Sequence, residues 1–352
     1  MAGLLETYLQ DIRIAYPNAL DKAEWRVKRY GLVNSALEQN ASPMSIISPE
    51  LREKALTSRG RVIDIPVMKK GSLTVSNVRS CTLGSYENES AMVNLTWATM
   101  VVNISMVKSQ YAKNEVSYMQ DLSKKLILVK EAMLGQLESA IYTKLDADKT
   151  TVVSSTLVGT GKKYPFTGNA IQVSQAQQPL FFNDVEPIQN AGDFYGENYV
   201  VANTNMMSNV NHYINQGAGN DTNLNYQFAD KTFRFSNAVT NGSGVVSTGF
   251  IMPIGSLGLL TRNAPDEILG NKTTDGTEFG TIMIDGIPFE VGYMYKSTCS
   301  DKSALNGSGL EHLQATMVEQ WSFAVDYALI TPYNSDASTK EGTIKKVEFL
   351  AV

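Results

Sequence analysis

Histidines, cysteines and closely spaced carboxylates are the side chains that build most metal centres and acid–base sites, and this sequence uses them sparingly. Its two histidines, His212 and His312, stand a hundred positions apart. A histidine-ligated metal would need both to converge with added carboxylates, so two satisfied histidines are expected instead. The two cysteines, Cys81 and Cys299, form no CxxC pair, and neither a thiolate zinc site nor a disulfide framework follows from them. Gly159-Thr160-Gly161-Lys162-Lys163 has the look of a phosphate loop. The glycine required five residues before Gly161 is Thr156, however, and Lys162 is followed by lysine rather than Ser or Thr. No GxSxG elbow surrounds Ser243, Ser256 or Ser308, and Asp146-Ala147-Asp148-Lys149 loses the calcium-loop pattern at Thr150. What remains is a scattered carboxylate set, Asp266, Glu267, Asp275 and Glu278. Single acidic residues in Gly/Asn-rich loops are usually solvated, so no catalytic, cofactor-binding or metal-binding residue is expected.

The 352-residue chain is 43% apolar and 18% charged. That is enough apolar material for a large core, with a charged fraction below the roughly 25% usual in soluble domains. A surface so poor in charge is expected to have permanent neighbours. The net charge of −5 argues against a dedicated nucleic-acid binder. It is unevenly spread: residues 1–180 hold 21 basic and 16 acidic side chains, residues 181–320 hold 6 and 15. The cysteine usage fits a reducing cytoplasm. Neither a signal peptide nor a membrane span is visible, because Glu6, Asp11 and Arg13 interrupt the N-terminus and Pro253 and several glycines break residues 242–261.

The elements follow from periodicity. Leu4, Leu5, Tyr8, Leu9 and Ile12 recur at helical spacing, and Ser48-Pro49-Glu50 starts a short helix through Leu56. From Arg61 the period becomes two: Val62, Asp64-Ile65, Val67-Met68, Leu73, Val75, Val78, then Leu95, Trp97, Met100, Val102, Ile104 and Met106. Between these runs, Thr82 to Ser90 is a turn-rich tip expected to project. Asn114 to Leu145 predicts one long helix with its apolar stripe on Leu122, Leu126, Val129, Met133, Leu137, Ile141 and Leu145, and with Lys124, Lys125, Lys130, Glu131 and Glu138 off it. Residues 150–180, without an acidic side chain, read as connecting strands or an exposed flap. Tyr199 to Ala202 predicts a buried strand, capped at Asn203/Thr204 into a helix ending at Gly217. Thr232 to Phe235 predicts another strand, and Asp285-Gly286 a type I′ hairpin between 282–284 and 287–291. Trp321, Phe323, Val325, Tyr327 and Leu329 alternate along one face before Pro332 and a last strand near 343–350. Half of the 26 asparagines lie between Asn183 and Asn241, a turn-dense block.

This order resembles the major capsid proteins of tailed double-stranded DNA bacteriophages, the Hong Kong 97-like fold also seen in encapsulins. The residues carrying the resemblance are Ser48-Pro49-Glu50-Leu51 through Ser58-Arg59-Gly60-Arg61-Val62-Ile63-Asp64-Ile65-Pro66-Val67, similar to an N-arm entering an extended loop. Asn114 to Leu145 is similar to the spine helix, and Tyr199-Val200-Val201-Ala202-Asn203 to the first strand and helix cap of the axial domain. The resemblance implies an α+β fold. Its parts would be an N-terminal arm (1–57), an extended β loop (58–112), a peripheral domain with the spine helix (113–180), an axial domain (181–320) and C-terminal strands returning to the peripheral domain (321–352). It further implies self-assembly as hexamers and pentamers into an icosahedral shell around phage DNA, located in the virion and made in the bacterial host cytoplasm. The implied partners are further copies of the chain, a portal, a separate scaffolding protein, decoration proteins and, non-specifically, the packaged DNA; no membrane is implied. With the sequence beginning at Met1, no cleaved scaffold segment is expected.

Some members of that family lock subunits by a Lys–Asn isopeptide bond. The tip here has no lysine, the nearest being Lys70 and Lys108, so cross-linking between subunits is not expected and denaturing electrophoresis of particles should give one band at chain mass. The tip instead carries Tyr86, Glu87 and Glu89, the expected subunit-interface residues, facing a basic patch on a neighbour. Competing readings are an encapsulin-like or other virion shell or tail component, a hydrolase on a loop-rich β scaffold, and a monomeric binding module. The hydrolase would need converging carboxylates, and the long arm and excursion would be wasteful in a monomer.

Overall fold

The computed structural model describes residues 30–58, 60–68, 90–107, 111, 117–216, 231–301, 315–334 and 336–351. In chain order they form α1 (Gly31–Ala41), α2 (Pro49–Thr57), β1 (Val62–Met68), β2 (Ser90–Thr96), β3 (Ala98–Val107), α3 (Tyr118–Ala147), β4 (Phe166–Thr167), β5 (Ala170–Val173), α4 (Phe181–Asn190), β6 (Asn198–Ala202), α5 (Met207–Gln216), β7 (Lys231–Phe235), β8 (Val245–Pro253), β9 (Gly258–Arg262), α6 (Pro265–Leu269), β10 (Glu278–Ile282), β11 (Val291–Asp301), β12 (Ala315–Ile330) and β13 (Lys345–Leu350). This is a mixed α+β chain. It divides into two units, one of Met1–Val33, Ala98–Ala140 and Thr261–Tyr327, the other of Asn34–Trp97, Ile141–Leu260 and Ala328–Val352.

In the first unit β10, β11, β12 and β3 follow one another, each pair antiparallel. Period-two alternation sends Trp321, Phe323, Val325 and Tyr327 of β12 to the buried face. The register sets Trp321 opposite Tyr295 and Ile104, with the Tyr295 and Trp321 ring centroids 4.3 Å apart. The alternation ends sooner than the sequence suggests: Ala328 is buried and Leu329 only half-buried. The hairpin also differs from expectation. Its strands are β10 and β11, paired from Ile282 and Val291, so residues 283–290 form the connection. Only Gly286 has a positive φ there (81°), whereas a type I′ turn needs two such residues. Ile284, Ile287 and Phe289 are all buried, and Pro288 has no N–H to give a ladder; core packing takes these residues out of the sheet.

α3 is one helix of 30 residues, about 45 Å at 1.5 Å per residue. The whole expected stripe is fully buried, from Leu122 to Leu145, because a 3–4 residue spacing puts it on one face. Within the first unit, Lys125 Nζ donates to the Ser105 carbonyl of β3 at 2.8 Å and the Tyr118 hydroxyl donates to Glu319 of β12. Glu138, expected on the solvated side, is buried instead. Its Oε1 accepts the Val33 N–H at 2.8 Å, in the first turn of α1, where helix N–H groups lack intrahelical partners and attract negative charge.

The second unit holds a six-stranded mixed sheet in the order β4-β5-β13-β8-β6-β7. β13 pairs parallel with β5 and antiparallel with β8; β6 pairs antiparallel with β8 and parallel with β7. β6 is buried along its length, as a central strand must be. The stretch expected as connecting strands or a flap supplies β4 and β5: Ala170, Ile171 and Val173 of β5 are buried, while residues 160–163 and 167–169 are exposed. The apolar face of α4 packs its aromatics edge to face: Phe181 meets Tyr164 at 5.2 Å and Phe349 at 5.6 Å, and Phe182 meets Phe233 at 5.4 Å. Gly255, at φ 82°, is required by a close approach, since a Cβ there would lie 1.9 Å from the Met44 carbonyl oxygen.

Truncating the α3 stripe should therefore be costly and truncating its outer face should not. Leu126→Ala, at a fully buried position, is expected to lower stability by about 2–5 kcal/mol. Leu128→Ala, at a site 55% exposed, should stay within about 0.5 kcal/mol. Urea denaturation midpoints of the two variants check this.

Candidate assembly surface

The period-two run beginning at Arg61 folds as a two-stranded ribbon in which β1 and β2 pair antiparallel from Val62↔Thr96 to Met68↔Ser90. α2 leads into it, its N-cap built as the sequence suggests: Ser48 Oγ accepts the Leu51 N–H at 3.2 Å, with Pro49 in the first turn. The ribbon base is fixed in the second unit by a cluster of Ile47, Ala55, Ile63, Leu95, Trp97, Leu260 and Ala328. Two bonds close it further, Trp97 N–H to the Arg61 carbonyl and Lys54 Nζ to the Asp64 carbonyl, both at 2.8 Å.

Alternation then divides the ribbon's faces. Ile63 and Leu95 are buried at the base, while Ile65 and Val93, next along the same face, are half-buried. The opposite face, Val62, Asp64, Pro66, Met92, Asn94 and Thr96, is exposed, with Val62 at 50% and Met92 at 62%. No third strand joins β1 or β2 among the described residues. Both strands are therefore edges, which suits Pro66. The three interface residues expected from sequence, Tyr86, Glu87 and Glu89, lie outside the described residues, as does most of the tip.

The side chains first considered for chemistry are not brought together. Asp275 is held by Lys296 Nζ at 2.7 Å and by Thr273, bonds that keep its carboxyl well below the ordinary range. Glu278 pairs with Lys272, and Asp266 accepts from Asn271 Nδ2 at 2.9 Å. Glu267 is buried, which pushes its carboxyl up, and accepts the Ala264 N–H at 2.9 Å, a bond with the opposite effect. Each carboxylate has partners of its own. His212 and Cys299 are exposed, and His312 and Cys81 lie outside the described residues. Gly159 to Lys163 forms a turn closed by the Val158↔Tyr164 bridge, with Lys162 Nζ on the Ser155 carbonyl at 3.1 Å, so that lysine is turned back on its own loop. No group of three or more metal-ligating side chains exists among the described residues, nor does any described helix have the length and apolarity to cross a membrane.

Two features had no clear sequence signal. Ile268 and Leu269, 65% and 73% exposed, sit beside the left-handed Gly270 that ends α6; an apolar pair directly before a glycine stop is the only hint. Glu319, on the buried face of β12, is satisfied by two phenols, those of Tyr118 and of Tyr295, the latter at 3.0 Å.

No protein-family model and no curated protein matches this chain. Among solved structures it is similar to one described as Mycobacterium phage Che8, at 9% identity over 87% of this chain and 89% of that one, with a TM-score of 0.47. It is similar also to the capsid asymmetric unit of cyanophage Pam1, at 11% identity over 84% and 86%, with a TM-score of 0.48. A third is the capsid structure of cyanophage P-SCSP1u, at 12% identity over 84% of each chain, with a TM-score of 0.44.

The Glu319 network carries a pH dependence. Burial, followed by the Glu319 contact, raises the Tyr295 phenol from 10.0 to about 12. The folded state thus holds this proton more tightly than the unfolded chain does, and the associated stability is present below pH 10 and lost as pH rises toward 12. Tyr295→Phe should make the fall in stability across that window shallower, as read from denaturation midpoints against pH.

Proposed function

We propose that this chain is the major capsid subunit of a tailed double-stranded DNA bacteriophage, assembling as hexamers and pentamers into an icosahedral shell around the genome. The observation that carries the reading is the β1–β2 ribbon. A lone two-stranded ribbon is marginal in water, and this one exposes Val62, Pro66 and Met92 on a face left open among the described residues. Neighbouring copies supply that cover, and closed shells need such heterologous contacts around their symmetry axes. The low charge fraction, 18%, is what a largely buried surface requires. In this reading residues 58–112 are the extended loop, α3 the spine helix, and Tyr86, Glu87 and Glu89 contact a neighbour's basic patch. The basic excess of residues 1–180 faces the genome in a salt-sensitive, sequence-blind way. A portal and a separate scaffolding protein complete the assembly in the host cytoplasm.

The test is sedimentation with negative-stain imaging of the chain expressed alone in bacteria. Shells, sheets or tubes built from hexamers are expected, and a well-behaved 38.6 kDa monomer would overturn the reading. Met92→Asp, on the exposed ribbon face, should leave the circular dichroism spectrum unchanged and abolish the sedimenting form.

A further inference from the structure

The most deeply buried cation among the described residues has surroundings no ordinary surface ion pair offers. Lys345, on β13, is fully buried, and its Nζ lies 2.8 Å from Glu341, itself nearly inaccessible. The same Nζ donates to the side-chain carbonyl oxygen of Gln189, in the last turn of α4, and Gln189 is also fully buried. The other end of that carboxamide, Nε2, is buried with no hydrogen-bond partner. The Phe194 ring centroid lies 4.8 Å from Nζ, the Ser154 N–H holds Glu341 Oε2 at 2.8 Å, and a Cβ at Gly192 would come within 2.8 Å of the Glu341 carboxylate, so the pocket is walled on that side. A neutral carboxamide, an amine and a carboxylate thus meet where water has little access.

We propose that Lys345 and Gln189 are the two halves of an intrachain isopeptide bond, formed with Glu341 as the proton carrier. Burial favours the neutral amine by pulling the Lys345 ammonium below its ordinary value, while Glu341 opposes that shift. The hydrogen bond to Oε1 holds Nζ beside the carboxamide, and a rotation of that group about its Cγ–Cδ bond is what brings the carbonyl carbon under the nitrogen for attack. Lys345 Nζ gives a proton to Glu341, and its lone pair forms a bond to Gln189 Cδ as the carbonyl electron pair moves onto Oε1. Glu341 passes that proton to Nε2. The oxyanion then collapses, reforming the carbonyl and breaking the Cδ–Nε2 bond. The second Nζ proton leaves by the same carboxylate, so the products are a neutral secondary amide, an ionised Glu341 and one ammonium ion. The reaction removes the buried ammonium and the orphaned amide nitrogen, each costly in an apolar interior, while Glu341 stays ionised and held by the Ser154 N–H. It joins residues of one chain and adds no band on a denaturing gel.

Intact-mass spectrometry of the purified full chain tests this independently of whether the chain assembles. The expected mass is lower than the sequence mass by one ammonia, about 17 Da, with a branched proteolytic peptide joining the segments that hold Gln189 and Lys345. Lys345→Arg, which keeps the charge without the nucleophile, and Glu341→Gln should each restore the full mass. A folded wild-type chain at full sequence mass, or a mass loss that persists in Lys345→Arg, would overturn the proposal. The wild-type result decides even if a variant fails to fold.

Discussion

In a two-stranded ribbon successive side chains must point to opposite faces, and the proposed function depends on that constraint. β1 and β2 place Ile63 and Leu95 in the cluster at their base and, by the same alternation, must turn Val62, Pro66 and Met92 outward. Backbone pairing makes the two faces inseparable: a slip of one residue would expose Ile63 and Leu95 instead. At about 25 cal/mol per Å² of apolar area, covering such a face is a sizeable gain for each copy.

The two units are organised by different means. The first is organised by the α3 stripe and the aromatic face of β12, where the Trp321 and Tyr295 ring centroids lie 4.3 Å apart and a buried carboxylate, Glu319, accepts hydrogen bonds from two phenols. The second is organised by a mixed sheet with β13 at its centre and by the Phe181, Phe182 and Phe349 cluster. Its buried cation, Lys345, reaches Gln189 and Glu341 on separate segments, tying the end of α4 to the approach to β13. Polar groups this deep are costly unless partnered, and Glu138, Glu319 and Lys345 find partners far away in the sequence.

That separation explains what the sequence reveals and what it hides. The α3 stripe, the Ser48 cap of α2, the buried strand β6 and the alternation of β12 as far as Tyr327 are local patterns, and each appears where the sequence places it. Glu138, Glu319 and Lys345 look like ordinary polar residues because Val33, Tyr118 and Gln189, which they meet in the fold, are 105, 201 and 156 positions away. The Asp285-Gly286 turn was misread for a related reason, since Ile284, Ile287 and Phe289 answer to the core rather than to a hairpin register. Of the candidate surface, the ribbon flanks were legible from alternation, but which face stays uncovered depends on where Ile47, Leu260 and Ala328 come to lie.

The measurement that bears most directly on the central claim is amide hydrogen exchange across residues 62–68 and 90–96, compared between dispersed chain and the sedimenting assembly. Assembly through the ribbon requires fast exchange in the dispersed chain, as expected of a marginal ribbon, and strong protection in the assembly. Equal protection in both forms would mean the ribbon is covered by its own chain and would contradict the account.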